Sequence, residues 1–256
     1  DFLLCNYVKP AISNPETDAL NAQIDAIVDK EINTVELPSL ISWDTYREFK
    51  TAMYFIKSAE YESDKKDEFI LHAYSLMKLF MTSVFSVKDM EELIDSKQLE
   101  GIDKPDTRLS CITEYSHTFP EYLQEKAAVV INILEIAYLS FFDRNPKEKA
   151  LADILEKTTA KNIAIVVPKA YYKVLIQAVM SKSQSTRERM GFVTIVTANR
   201  FNNNGIYDLI IAVGNITGTK FDTLRCRSAK DITIILYDAE KFQFHKKIKK
   251  YKQTEH

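Results

Sequence analysis

The sequence predicts an α/β protein in two parts, an acidic all-helical module over residues 1–144 and a three-layer parallel-sheet module over residues 145–256. Three observations carry this. Charge divides the chain: residues 1–144 hold 14 Lys and Arg against 26 Asp and Glu, net −12, and residues 145–256 hold 20 against 10, net +10. Beyond Asn145, apolar β-rich runs alternate with helical stretches, the order of a parallel sheet wrapped by helices. Three of those runs are continuously apolar, as strands buried on both faces must be.

The first residues, LLCNYV before Lys9-Pro10, suit an extended segment or short edge strand. Pro15 and Glu16 open a predicted helix in which Leu20, Ile24, Ile27 and Val28 recur at helical spacing, with Leu37-Pro38 breaking it. Ser42 and, better, Asp44 suit the cap of a second helix, TYREFKTAMYFIKSAEYE. Glu60 to Asp67 is a polar turn. EFILHAYSLMKLFMTSVF is apolar on nearly every side, so it belongs at the centre of a bundle. A short helix spans Val87 to Ser96, and Gly101 to Thr107 is a loop. From Pro120 a long helix runs through AAVVINILEIAYLSFF, an apolar stretch of 16 residues. A membrane span needs roughly 20, so this helix is expected inside the protein.

Asn145 suits a helix cap and Pro146 a first helical position, which places the boundary near residue 144. The helix PKEKALADILEKTTA leads to the strand NIAIVVP, the helix KAYYKVLIQAVMSK and a basic turn with Arg187 and Arg189. The strands FVTIVTA and YDLIIAVG follow, separated by the asparagine-rich NRFNNNG. A loop, a short helix FDTLRCRS, the strand DITIILYD and a last helix, AEKFQFHKKIKKYK, complete a Rossmann-like module of about four parallel strands.

Element order from NPKEKALADILEKTTAKNIAIVVPKAYYKVLIQAVM through VTIVTA and YDLIIAVG resembles the second, C-terminal RecA-like lobe of superfamily-two helicases, over about residues 145–256. The resemblance implies a nucleic-acid-associated protein whose partners are DNA or RNA and a separate helicase lobe. The helicase pattern Q-x-x-G-R-x-x-R, source of the arginine finger, does not occur. Arg225 and Arg227 in LRCRS are the nearest pair. With no counterpart of the first lobe's nucleotide-binding loop, ATP-driven motor activity is not expected of this chain alone.

Chemistry concentrates between Gly191 and Lys220, where four of the five glycines lie. The loop GNITGTK has ingredients of an anion-binding turn: Gly214, Thr217, Gly218, Thr219 and Lys220. It does not fit G-x-x-x-x-G-K-[ST], because Thr219 intervenes before Lys220 and no hydroxyl residue follows the lysine. A looser phosphate site and a simple chain reversal both fit. Ligands of doubly wound sheets sit beyond the strands' carboxyl ends. That edge would collect Lys169, Asn199, Arg200, Asn215, Asp238 and Glu240 with the loop. Asp238 and Glu240 suit either a metal or acid–base pair or the cap of the last helix. A basic nucleic-acid surface would comprise Arg187, Arg189, Arg200, Arg225, Arg227, Lys246, Lys247, Lys249 and Lys250. The same basic edge would suit an acidic protein partner, and the Gly214–Lys220 edge a nucleotide-like substrate.

No nucleophile–base pair, metal-ligand pattern or cofactor motif stands out, so no cofactor, no metal and no catalytic residue are assigned. His72 and His117 are isolated. Cys5, Cys111 and Cys226 are odd in number and widely spaced, which suits reduced thiols in the cytoplasm. The chain begins at Asp1 with neither a secretory signal nor a membrane span, and its start suggests a piece of a longer protein.

Overall fold

A computed structural model describes Asp18, Asn21, residues 30–38 and residues 41–254. The predicted edge strand at LLCNYV and Cys5 lie outside the described residues, as does most of the first predicted helix. Of that helix, Asp18 and Asn21 are described and both are helical.

Among the described residues five strands form one parallel sheet: β1 (Glu31–Leu37), β2 (Ile163–Val167), β3 (Val193–Thr197), β4 (Leu209–Ala212) and β5 (Asp231–Tyr237), in the order β1-β5-β4-β2-β3. Helices lie on both sides, so the fold is α/β. Every residue of β2 and β4 is buried, and each such Ile or Val contributes about 1.5–3 kcal/mol of burial. The two outer strands differ. β3, VTIVT, carries two threonines among its apolar residues and is only partly buried. β1, EINTVEL, exposes Glu31, Asn33, Thr34 and Glu36, polar groups that blunt a sheet edge.

β1 corrects two expectations. The predicted helix does not continue to Leu37, and the sheet has a strand from before residue 144, paired along its length with β5 (Glu31 beside Asp231, Leu37 beside Tyr237). A seven-residue segment with β-branched Ile32, Thr34 and Val35 prefers the extended form once a neighbour offers its hydrogen bonds.

Between β1 and β2 run α1 (Trp43–Ser58), α2 (Asp64–Thr82), α3 (Val87–Asp95), α4 (Pro105–Ser116), α5 (Glu121–Ser140) and α6 (Pro146–Lys157). Ser42 and not Asp44 caps α1, its hydroxyl accepting the Thr45 N–H at 3.0 Å. α2 is central, as expected, with Phe69, Ala73, Leu76 and Phe80 buried. It starts inside the predicted turn. α4 starts inside the predicted loop: Pro105 is its first residue, where a missing N–H costs nothing. α5 buries Leu123, Val130 and Leu134 but leaves Ile136 and Leu139 exposed. No single helix among the described residues is long and apolar enough to cross a membrane.

Asn145 does cap α6, accepting the Lys147 N–H at 2.9 Å. Its amide also donates to the Ser83 hydroxyl and the Phe85 carbonyl, and its oxygen accepts from the Tyr237 hydroxyl. One cap thus ties the end of α2 to β5 across the position where charge changes sign.

After β2 come α7 (Tyr172–Met180) and the short α8 (Gln184–Arg189); α9 (Asp238–Thr254) follows β5. The connections from β3 to β4 and from β4 to β5 contain no helix among the described residues. The predicted helix FDTLRCRS is instead a series of turns: Thr217 bridges Asp222, and the Asp222 carboxylate accepts the Leu224 N–H at 2.9 Å. Aspartate offers the backbone this alternative to a helix. Both connections cover the sheet with buried Phe201, Ile216 and Phe221, the two phenylalanine rings 5.0 Å apart.

Candidate functional site

The two halves of the predicted phosphate loop do different things. Gly214, just past β4, faces a buried ion pair. Lys147, the second residue of α6, is fully buried, and its ammonium donates to Glu240 Oε2 at 2.5 Å, Met81 O at 2.6 Å and Val213 O at 2.9 Å. Its three donors therefore meet three acceptors, and the ammonium lies 4.7 Å from the Tyr237 ring centre. Glu240 also accepts the Tyr237 N–H at 3.0 Å and the Asn215 N–H at 3.1 Å. The Tyr237 bond is a capping interaction at the start of α9. Between the two roles open to Glu240 in the sequence, the carboxylate occupies the capping one. Asp238 is exposed and accepts the Trp43 N–H at 3.2 Å. Burial pulls the Lys147 ammonium below the ordinary lysine value and pushes the Glu240 carboxyl above the ordinary glutamate value. A β-carbon at Gly214 would sit 2.4 Å from Glu240 Oε1, so glycine lets the loop pass close to this carboxylate.

Gly218, Thr219 and Lys220 lie instead in an open cleft of about 610 Å³, with Arg225, Arg227, Asn203 and Asn204. Lys220, Arg225 and Arg227 are exposed. The loop amides are already engaged: Gly218 N–H donates to Phe221 O at 2.8 Å and Thr219 N–H to Asn199 Oδ1 at 2.9 Å. A β-carbon on Gly218 would meet the Ala198 backbone at 2.7 Å. Among the described residues no helix follows the loop, so the positive charge at the cleft comes from side chains and not from a helix N-terminus. Its carboxylate, Asp222, pairs with Lys247 at 2.7 Å. Burial alone would raise Asp222, but Lys247 and the Leu224 and Arg225 amides together hold it below the ordinary aspartate value. The cleft keeps an excess of positive charge.

No protein-family model and no curated protein matches the chain.

The other predicted cations are dispersed. Arg187 donates to the Ser181 carbonyl. Arg189 donates to Leu155 O at 3.1 Å and Ala160 O at 2.6 Å and lies over the Phe192 ring, tying α6 to α8. Both guanidiniums serve as backbone partners beside the amino end of β3. Arg200 is exposed past the carboxyl end of β3, and Thr217 is exposed beside the cleft. Lys246, Lys249 and Lys250 are exposed on α9, where Lys247 forms part of the cleft's ion pair. Cys111 is half-buried and Cys226 buried, both as free thiols. Among the described residues no three His, Cys, Asp or Glu side chains gather as a metal site.

Lys147 escaped sequence reasoning, yet it left a signal. It falls at helical spacing with Ala150, Leu151 and Ile154 on the apolar side of α6. A lysine in such a row must be paired or carried to the surface.

Proposed function

We propose that this protein binds the phosphate backbone of nucleic acid through the cleft at Lys220, Arg225 and Arg227, as a relative of a helicase second lobe without an ATPase site of its own. The observation that supports the reading is the gathering of five predicted residues (Gly218, Thr219, Lys220, Arg225 and Arg227) in one open cleft whose carboxylate is already paired. Arginine and lysine neutralise phosphates, while Thr219 and the Asn203 and Asn204 amides supply neutral hydrogen bonds to backbone oxygens. The reading places the protein in the cytoplasm, where Cys111 and Cys226, free thiols among the described residues, stay reduced.

The test is fluorescence anisotropy of labelled single-stranded RNA, single-stranded DNA and duplex DNA between about 50 and 200 mM salt. Three phosphate contacts give a log–log slope of about −2 on a single strand. Reversing Lys220, Arg225 and Arg227 to Glu should abolish most binding, and each single alanine should lower the slope by roughly 0.7. Absence of saturable binding at low salt overturns the proposal and favours an acidic protein as the partner of the basic edge. Binding that the triple reversal leaves intact overturns the assignment to this cleft.

A further inference from the structure

A second cavity, separate from the basic cleft, lies beyond the carboxyl ends of β4 and β5. Its volume is about 300 Å³, and it is walled by α1 and α2 on one side and by Asn215 and the first turns of α9 on the other. This is the edge at which open parallel sheets bind ligands, and the volume is at the compact end for small-molecule sites.

The polar groups in it converge. Lys50 and Lys78 are exposed lysines that line the cavity, and the Lys50 ammonium lies 5.3 Å from the Tyr74 ring centre. The Glu240 carboxylate faces the same space, its charge balanced by Lys147 at 2.5 Å. Two positive charges without an ion-pair partner among the described residues therefore line the opening. Deeper in, the Gln243 carboxamide interacts with the Tyr46 hydroxyl, and among the described residues its buried Nε2 has no acceptor in ordinary hydrogen-bond geometry. A buried amide donor without a good acceptor costs free energy that an incoming acceptor would recover. Tyr46, Tyr74, Met77 and Met81 supply flat and deformable apolar walls. Burial raises both tyrosine hydroxyls above their ordinary values, so at neutral pH they remain protonated donors.

We propose that this cavity binds a compact anion of the nucleoside monophosphate class, with its anionic group at Lys50 and Lys78 and the hydrogen-bonding edge of its planar base at Gln243 and Glu240. The two lysines select a negative charge. Gln243 offers a donor and Glu240 an acceptor, the complementary pair a base edge or cyclic amide presents. The site is independent of the cleft, so nucleic-acid binding there and ligand binding here stand or fall separately.

Isothermal titration of the full chain tests this, with AMP, GMP, CMP and UMP as probes, the matched nucleosides as rings without the anion, and inorganic phosphate as the anion without the ring. At least one monophosphate should bind with one-to-one stoichiometry. Its nucleoside and inorganic phosphate should each bind at least about tenfold more weakly. Lys78→Ala, at an exposed position that leaves folding intact, should weaken the monophosphate about tenfold. Gln243→Leu should do the same, and Lys220→Ala should leave affinity unchanged. Absence of binding by all four monophosphates overturns the proposal. Phosphate binding as tightly as the monophosphates overturns the planar part. Loss of affinity in Lys220→Ala, with Lys78→Ala and Gln243→Leu unaffected, moves the ligand to the cleft and overturns the assignment to this cavity.

Discussion

Replacing Lys147 with Met tests the buried junction where α2, α6, β4 and α9 meet. The variant keeps the length and apolar character of the stem. It removes the 2.5 Å contact to Glu240 and leaves the Met81 and Val213 carbonyls without their donor. Breaking a buried pair by deleting one partner costs about 3–5 kcal/mol, because a charge is left uncompensated. Glu240 keeps the Tyr237 and Asn215 N–H donors and can accept a proton, which puts the expected loss at about 3 kcal/mol. For a chain of this size that corresponds to roughly 6–12 °C in Tm. Urea titration with an unchanged m-value and scanning calorimetry would measure it. The sign of the pH dependence follows from Lys147, whose ammonium opposes the burial that raises the Glu240 carboxyl, so that its loss leaves the carboxyl raised further. Stability linked to a raised carboxyl is present below its unfolded pKa and lost as pH rises through the folded one. The deficit of Lys147→Met should therefore be smallest near about pH 4 and grow toward neutrality. Adding Glu240→Gln, which keeps the acceptor oxygen, should restore at least about 1 kcal/mol. A single variant within about 0.5 kcal/mol of the parent, or a double variant no better than the single, would refute the reasoning.

Gly218→Ala should lower Tm whether or not a ligand is present, by the equivalent of about 1–3 kcal/mol of overpacking, because its β-carbon would meet the Ala198 backbone at 2.7 Å. Gly191→Ala, with open space around the new carbon, is the control and should stay within about 0.5 kcal/mol. Asp222 is held below the ordinary aspartate value, so its contribution is present above the unfolded pKa and lost as pH falls below about 4. Asp222→Asn should flatten that acid limb in urea midpoints measured against pH. A fragment of residues 145–256 would lack β1, the Met81 carbonyl under Lys147 and the Ser83 and Phe85 partners of Asn145. Its amide NMR spectrum should be poorly dispersed, and a well-dispersed one would show that the sheet stands without the earlier residues.

The central strands were legible because burial on both faces forces an unbroken apolar run. Ile163 to Val167 and Leu209 to Ala212 leave little else for those residues to be. β1 was not legible for the converse reason. An edge strand carries Glu31 and Glu36 by necessity, and what makes it a strand is a partner far away in the chain. The Asn145 cap was readable because its bond to Lys147 N–H is local. The bonds of Asn145 to Ser83, Phe85 and Tyr237 were not, since nothing near Asn145 encodes them. The short helix at FDTLRCRS fails on Asp222, whose carboxylate competes for a neighbouring N–H. Within the site, exposed cations were found by charge alone, and the cleft kept Lys220, Arg225 and Arg227 together. Arg187 and Arg189 look the same in sequence but were claimed by carbonyls of α6 and its neighbours. Charge shows in a sequence, and its partner shows only in the fold.

The pairing of Glu31 with Asp231 has a consequence for how the molecule is made. On the ribosome β1 emerges before β5, and this hydrogen-bonding partner is translated only after everything between them. At about 5–20 residues per second, that wait is on the order of 10–40 s. The intervening α1 to α5 pack mainly on one another and have time to assemble first. The sheet can close only when β5 arrives to fill the gap between β4 and β1. Throughout that interval β1 presents an unpaired backbone, and the charges of Glu31 and Glu36 disfavour the nearest false partner, another nascent copy of the same strand.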